Sequence, residues 1–188
     1  LILRTPVPNA ETGQHVFVCG LARAGTTILM RELYETKAFA SLTYAEMPFV
    51  MAPNIWNAQH KNPSPFKERA HKDGIAVSTQ SPEALDEVFF LTFAGADYLF
   101  DNALKPHELN TETIRKLRFY IGNILMKYKA DRYLSKNNNN ILRLKSLQKA
   151  FPNAVFLIPF RDPFQQAFSL LKQHRRFKKE QADDSFVA

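Results

Sequence analysis

HVFVCGLARAGTTILMRELYETK, residues 15–37, is where an apolar run breaks into a glycine-flanked turn and the turn opens a helix. His15 to Leu21 reads as a strand buried on both faces, because Val16, Phe17, Val18 and Cys19 are apolar without alternation. Gly20 and Gly25 bracket the turn. Thr26 and Thr27 then start an amphipathic helix with Ile28, Leu29 and Leu33 on one stripe. The first amides of a helix lack intrahelical partners, and the helix dipole adds partial positive charge there. Strand, tight turn and helix N-terminus in this order predict an anion site, with phosphate as the default guest.

The loop differs from that of the ATP and GTP binders, G-x-x-x-x-G-K-[ST], in which a lysine reaches the outer phosphates. Gly20 and Gly25 have the right separation, but Thr26-Thr27 follow and the lysine is missing. The strong cation lies inside the loop, at Arg23. Such a loop can hold a phosphate with amides and two hydroxyls, yet lacks the group that stabilises a leaving triphosphate. A P-loop nucleotide kinase and a non-catalytic nucleotide-binding module are the alternatives this leaves open.

Away from this stretch, residues 1–14 read as an irregular lead-in with Pro6, Pro8 and Gly13. Ala40 to Ala45 is expected as a short second strand ending at Glu46-Met47-Pro48. Four prolines with Trp56 and Phe66 make residues 48–66 a broken, loop-like segment, and loops 47–72 are the place for a substrate-facing lid. Gly74 to Thr79 reads as an edge strand or an extended loop. Ser81-Pro82 cap and start a helix to about Phe93. Asn110 to Ala130 is a long helix, with Ile114, Leu117, Ile121, Ile124, Leu125 and Tyr128 at helical spacing. Asn140 to Leu142 reads as a short strand, and Arg143 to Phe151 as a helix stopped by Pro152.

Ala154 to Phe160, AVFLIPF, reads as a second buried strand, and Asp162-Pro163 open a helix striped by Phe164, Ala167, Phe168 and Leu171. Strands alternating with helices predict an α/β fold: a P-loop-like three-layer sandwich with a central parallel sheet flanked by helices. Ligands of such sheets bind beyond the carboxyl ends of the strands, where Gly20 and Arg161 both fall. The two motifs are therefore expected to face one ligand.

That second motif is PFRDPFQQAFSLLKQH, residues 159–174, with Ser169 on the new helix eight residues after Arg161. A guanidinium suits bidentate contact with phosphate, and a hydroxyl adds a donor.

GLARAGTT resembles the 5′-phosphosulfate loop, P-[KR]-[SA]-G-T-[TS], of sulfotransferases that use 3′-phosphoadenosine 5′-phosphosulfate. The Arg161 and Ser169 pair is similar to their 3′-phosphate site, and LSKNNNN with FSLLKQHRRF looks most like the bacterial, Golgi-related branch. The resemblance implies that Arg23, Ala24, Gly25, Thr26 and Thr27 hold the 5′-phosphosulfate, while Arg161 and Ser169 hold the 3′-phosphate. It implies in-line transfer of a sulfuryl group to a hydroxyl or amine of a carbohydrate, lipid or peptide. Adenosine 3′,5′-bisphosphate is the second product, and no metal is needed. Arg23, assisted by Thr27, and Lys136 would stabilise the leaving group. Where the family has proline after that lysine, this chain has asparagines. Glu46 would be the general base, with His60, His71 and His107 as competitors. Residues 1–188 would form a single domain, shortened at its C-terminal end relative to family members.

Composition bounds the partners. The formal net charge of +7 favours an anionic ligand. A nucleic-acid module would interleave basic residues with exposed aromatics, whereas the 16 phenylalanines fall mostly on apolar stripes, so no nucleic acid is expected. The basic helix end at His174, Arg175, Arg176, Lys178 and Lys179 reads as a solvated face. Cys19 is the only cysteine, which excludes an intrachain disulfide and a cysteine zinc site. No run of about 18 apolar residues occurs, so no membrane span is expected. A bacterial cytoplasmic location follows from the resemblance, or the Golgi lumen had an anchor been trimmed.

Overall fold

The computed structural model describes residues 10–54, 64–69 and 74–182. Its centre is strand β1, Val16–Val18, fully buried as its uninterrupted apolar run requires. Two hairpins stand outside the central sheet: β2 (Lys67–Glu68) with β3 (Ala76–Val77), and β4 (Leu99–Phe100) with β5 (Ala103–Leu104), both antiparallel. The sheet itself is completed by β6, Leu134–Lys136, and β7, Val155–Leu157, which flank β1 on either side and run parallel to it. Phe17 lies level with Ser135 and Phe156. Parallel neighbours this far apart in sequence need helical crossovers, and these cover both faces.

Period-2 alternation along the strands sorts the core into two clusters. Val16, Val18 and Leu134 point to one face and meet Met30 of α1, Thr26–Glu35, with Leu29 and Leu33 beside it. Phe17, Cys19 and Tyr133 point to the other face. There they join Phe89 and Phe90 of α2 (Glu87–Tyr98), the apolar side of α3 (Thr111–Tyr128), and Leu147 and Ala150 of α4 (Leu144–Ala150). Ile114, Leu117, Ile121, Ile124 and Leu125 are the buried stripe of α3, each contributing roughly 1.5–3 kcal/mol of apolar burial. Asn110 caps this helix, its side chain accepting from Thr113 N at 2.8 Å. Burial pushes the Cys19 thiol up to about 12, which makes it an inert core group.

Several sequence expectations shift. The strand expected at Ala40 to Ala45 survives as two isolated bridges: Ala40 runs parallel to Tyr133 and extends the sheet beyond β6, and Thr43 pairs antiparallel with Pro82. The chain then folds into a 3-10 turn, Tyr44–Glu46, because Thr43 and Glu46 form a reciprocal capping box. Asn138–Leu142 is likewise a 3-10 turn, and the strand lies before it, at β6. Helix α2 begins at Glu87 rather than Pro82, since Ser81 Oγ accepts from Ser78 N instead of capping it. Met30 takes the buried place on α1 while Ile28 is exposed.

The run at Ala154 to Phe160 is regular only over β7, which has a single strand neighbour among the described residues. It leads into α5, Pro163–Ala182, whose expected stripe is largely open: Phe164 is 87% and Phe168 71% exposed. Among the described residues no helix is long and apolar enough to cross a membrane.

A buried polar cluster fixes the end of β6. Tyr133, Ser135 and Asn137 project to the α2 face by alternation, and all three donate to the Asp86 carboxylate. Next to it, Arg143 NH2 donates to Glu87 Oε2 at 2.7 Å, with its guanidinium 3.7 Å from the centre of the Phe90 ring. Burial raises the Asp86 carboxyl above its usual range. For Glu87 burial acts the same way, but Arg143 and hydrogen bonds from Tyr98, Asn139 and Asn137 outweigh it and hold the carboxyl low.

Candidate active site

Beyond Val18 the chain leaves the sheet at its carboxyl edge, where Cys19 N donates to Leu157 O at 2.8 Å. Gly20 (φ 126), Arg23 (φ 70) and Gly25 (φ 92) then take positive φ. The two glycines adopt this freely, whereas an arginine in the left-handed region costs about 1–2 kcal/mol and needs support. The second motif supplies it. Gln166 Nε2 of α5 donates to Ala22 O at 3.0 Å, Arg161 NH1 to Arg23 O at 3.4 Å, and Arg23 Nε itself donates to Ser169 Oγ at 3.0 Å. Asp162 caps α5 by accepting from Gln165 N at 2.9 Å.

The two motifs thus meet as the sheet topology predicts, but with different pairing. Ser169 is bonded to Arg23 rather than to Arg161, whose Nη2 donates to Gln165 Oε1 at 3.3 Å. Gly25 stands before α1 without a side-chain cap, so the first amides of that helix face the loop. Thr26 is buried at the helix start, and Thr27 is half-buried beside it. Amides, two threonine hydroxyls, the Ser169 hydroxyl and two guanidinium groups are a donor-rich set suited to an anion with more than one charged group.

Lys136 ends β6 opposite Val18, at the same sheet edge, and is 8% exposed. Its Nζ lies 3.5 Å from Glu83 Oε1. Glu83 gathers further groups: the Ala84 amide donates to Oε1 at 3.0 Å, the Tyr44 hydroxyl to Oε2 at 3.2 Å, and Arg69 NH1 stands 3.9 Å from Oε2. Arg69 NH1 also donates to Thr27 Oγ1 at 3.3 Å, so this carboxylate is linked to the loop through one guanidinium. Burial would raise the Glu83 carboxyl, but Lys136, the Ala84 amide, Tyr44 and Arg69 outweigh it and hold it below the usual glutamate range. The Tyr44 hydroxyl is pushed up to about 12 by burial and by Glu83.

Glu46, expected as the general base, ends the 3-10 turn that follows the Ala40 bridge. It is 0% exposed. Oε2 accepts from Thr43 N at 2.7 Å and Thr43 Oγ1 at 2.8 Å, while Oε1 accepts from the Tyr128 hydroxyl and lies 3.3 Å from Lys127 Nζ. Both oxygens are committed to the capping box and to the last turn of α3, because the 3-10 turn directs the side chain inward. His107 stacks on Tyr98 at the end of α2, 4.6 Å between ring centres. His60 and His71 lie outside the described residues, as do Trp56 and the rest of residues 55–63 of the expected lid.

Gln166, Arg69, Glu83 and Tyr44 are the site neighbours that the sequence reading missed. Gln166 had a signal, since it lies one turn before Ser169 on the same face of α5. Glu83 reads in sequence as an acidic first-turn residue, and only the later start of α2 frees it.

A family model described as "Sulfotransferase family" matches residues 15–188. Among solved structures, the sulfotransferase STF9 from Mycobacterium avium is similar at 20% identity with a TM-score of 0.51, over 91% of this chain and 47% of that one. Sulfotransferase STF1 from Mycobacterium tuberculosis H37Rv matches at 16% identity with a TM-score of 0.41, over 81% of this chain and 46% of that one. This chain therefore spans just under half the length of either. A comparison with curated proteins gave no match. The family match begins one residue before β1 and runs through both motifs to the end of the chain, and on that ground the chain belongs to the sulfotransferase family.

Proposed function

We propose that the chain moves a sulfuryl group from 3′-phosphoadenosine 5′-phosphosulfate to a hydroxyl or amine acceptor by in-line transfer. The observation that carries this reading is the closure of the loop onto α5 by Arg23 and Ser169, because it joins two anion-binding motifs into one donor set. A donor with phosphates at both ends of its ribose needs two such motifs, and ATP does not. Arg23, Ala24, Gly25, Thr26 and Thr27 take the 5′-phosphosulfate, and Arg161 with Ser169 takes the 3′-phosphate. Negative charge grows on the bridging oxygen as the sulfur–oxygen bond breaks, and Arg23 and Lys136 are the cations that offset it. No metal enters this scheme.

Glu46 acts here as a positioning residue. Its capping box holds the turn that carries Tyr44 to Glu83. The acceptor is a hydroxyl or amine of a carbohydrate, lipid or peptide.

Thermal unfolding with adenosine 3′,5′-bisphosphate, ATP plus magnesium, or AMP tests this reading. A ligand at 100 times its dissociation constant adds about 2.7 kcal/mol to the folded state. Stabilisation by the bisphosphate alone, lost in R161A, supports the two-phosphate donor. A response to ATP in place of the bisphosphate overturns it in favour of a kinase.

A further inference from the structure

Alcohol and amine acceptors hold their protons at neutral pH, so sulfuryl transfer needs a group to receive one. That group must be reachable by the acceptor and close to the loop. Two buried or half-buried carboxylates compete. Glu46 has no exposed surface, and both its oxygens are taken by Thr43, Tyr128 and Lys127. Glu83 retains exposure, with 18% of its side chain open, and its neighbours include Lys136 and the guanidinium that touches Thr27.

We infer that Glu83 is the catalytic base and that Lys136 controls its basicity. The inference rests on the sulfuryl-transfer reading. In the free protein, Lys136 on β6, Arg69 following β2 and Tyr44 on the 3-10 turn face the carboxylate and keep it ionised. Lys136 is shared between two anions once a sulfonate occupies the loop. As it is drawn toward the sulfonate, Glu83 loses its closest cation and becomes a stronger base. The acceptor oxygen then forms a bond to sulfur, and its proton passes to a Glu83 oxygen. The bond between sulfur and the bridging oxygen breaks, with its electron pair leaving on the phosphate of adenosine 3′,5′-bisphosphate. The proton on Glu83 returns to water after product departs. One cation therefore serves both ends of the reaction, preparing the base as it moves to the leaving group.

The test compares the parent chain with E83Q, E46Q, K136A and E83A. Three quantities are read: calorimetric affinity for adenosine 3′,5′-bisphosphate, release of labelled sulfate from the donor to water, and transfer to p-nitrophenol. The second and third are followed across the acid and neutral pH range. E83Q is expected to keep or improve bisphosphate affinity and to lower sulfate release roughly 10²- to 10⁴-fold. Transfer to p-nitrophenol, which is already acidic, should fall much less. The acid limb of the rate profile should vanish in E83Q, move to higher pH in K136A and persist in E46Q. Added formate should restore part of the rate to E83A, which separates a lost base from a lost fold. An E83Q variant with parental rate and acid limb overturns the inference. So does a parent that binds the bisphosphate but gives neither sulfate release nor transfer. Failure of the parent to bind the bisphosphate is a separate result, and overturns the donor assignment itself.

Discussion

Arg23 Nε donates to Ser169 Oγ at 3.0 Å, joining residues 146 positions apart. This bond and the Gln166 contact to Ala22 O make the loop and α5 one rigid donor surface. Hydrogen bonds to a charged group are worth about 1.5–3 kcal/mol, so R23A should weaken adenosine 3′,5′-bisphosphate binding about 10- to 100-fold. S169A should cost less. Because the two residues share one bond, a double-mutant cycle by calorimetry should show coupling between them. Strictly additive losses would mean that the loop and α5 bind independently.

Gly25 has φ 92, and a Cβ built there meets nothing within 4 Å. G25A should therefore cost about 1–2 kcal/mol through backbone strain alone. Urea unfolding measures that loss. Bisphosphate affinity should fall with it, since the loop amides would be turned from their positions. An unchanged unfolding midpoint would contradict the strain argument.

Arg143 is 1% exposed and pairs with Glu87 while stacking on Phe90. R143M leaves a carboxylate with three neutral donors and no cation, and should lose about 3–5 kcal/mol of stability in denaturant titration. The double variant R143M/E87Q should recover part of that loss. A double variant no better than R143M would show that the stacking, not the charge pair, carries the effect.

Glu87 and Asp86 bias stability toward opposite pH. Glu87 has a lowered folded pKa, so its contribution is complete above the ordinary glutamate range and is lost as pH falls through the folded value. Asp86 has a raised folded pKa, so its contribution is complete below the ordinary aspartate value and is lost as pH rises through the folded one. Unfolding midpoints measured against pH should therefore show a shallower acid-side loss in E87Q and a shallower decline with rising pH in D86N. Matching slopes in both variants would exclude this pair as the source.

The stretch from β1 to α1 and the entry to α5 are legible in the sequence because each is set by local chemistry. An unbroken apolar run, positive-φ glycines and an Asp-Pro helix start require no distant partner. Strand β6 was not legible. Its Ser135 and Lys136 are polar, and the distant Asp86 and Glu83 are the charged partners against which they are buried. Asn140 to Leu142 looked more strand-like by hydrophobicity, yet asparagine side chains turn that segment into a 3-10 helix, with Asn137 accepting from Asn139 N at 3.0 Å. The side-chain contacts of Glu46 are illegible for a related reason. Sequence distance carried it to the sheet edge, whereas a reciprocal cap with Thr43 draws the carboxylate inward. Glu83 could be found only once the true start of α2 was known.

The alternation along β6 limits how this site can be altered. Ser135 and Asn137 are tied to Asp86 on one face, while Leu134 and Lys136 belong to the other. Replacing Lys136 changes the cation and leaves the frame intact. Inserting or deleting one residue within β6 would instead turn the lysine toward Asp86 and the serine toward the loop. Position and chemistry are thus separately adjustable only in one direction. The identity of the side chain is open to redesign, but its address is locked to the core.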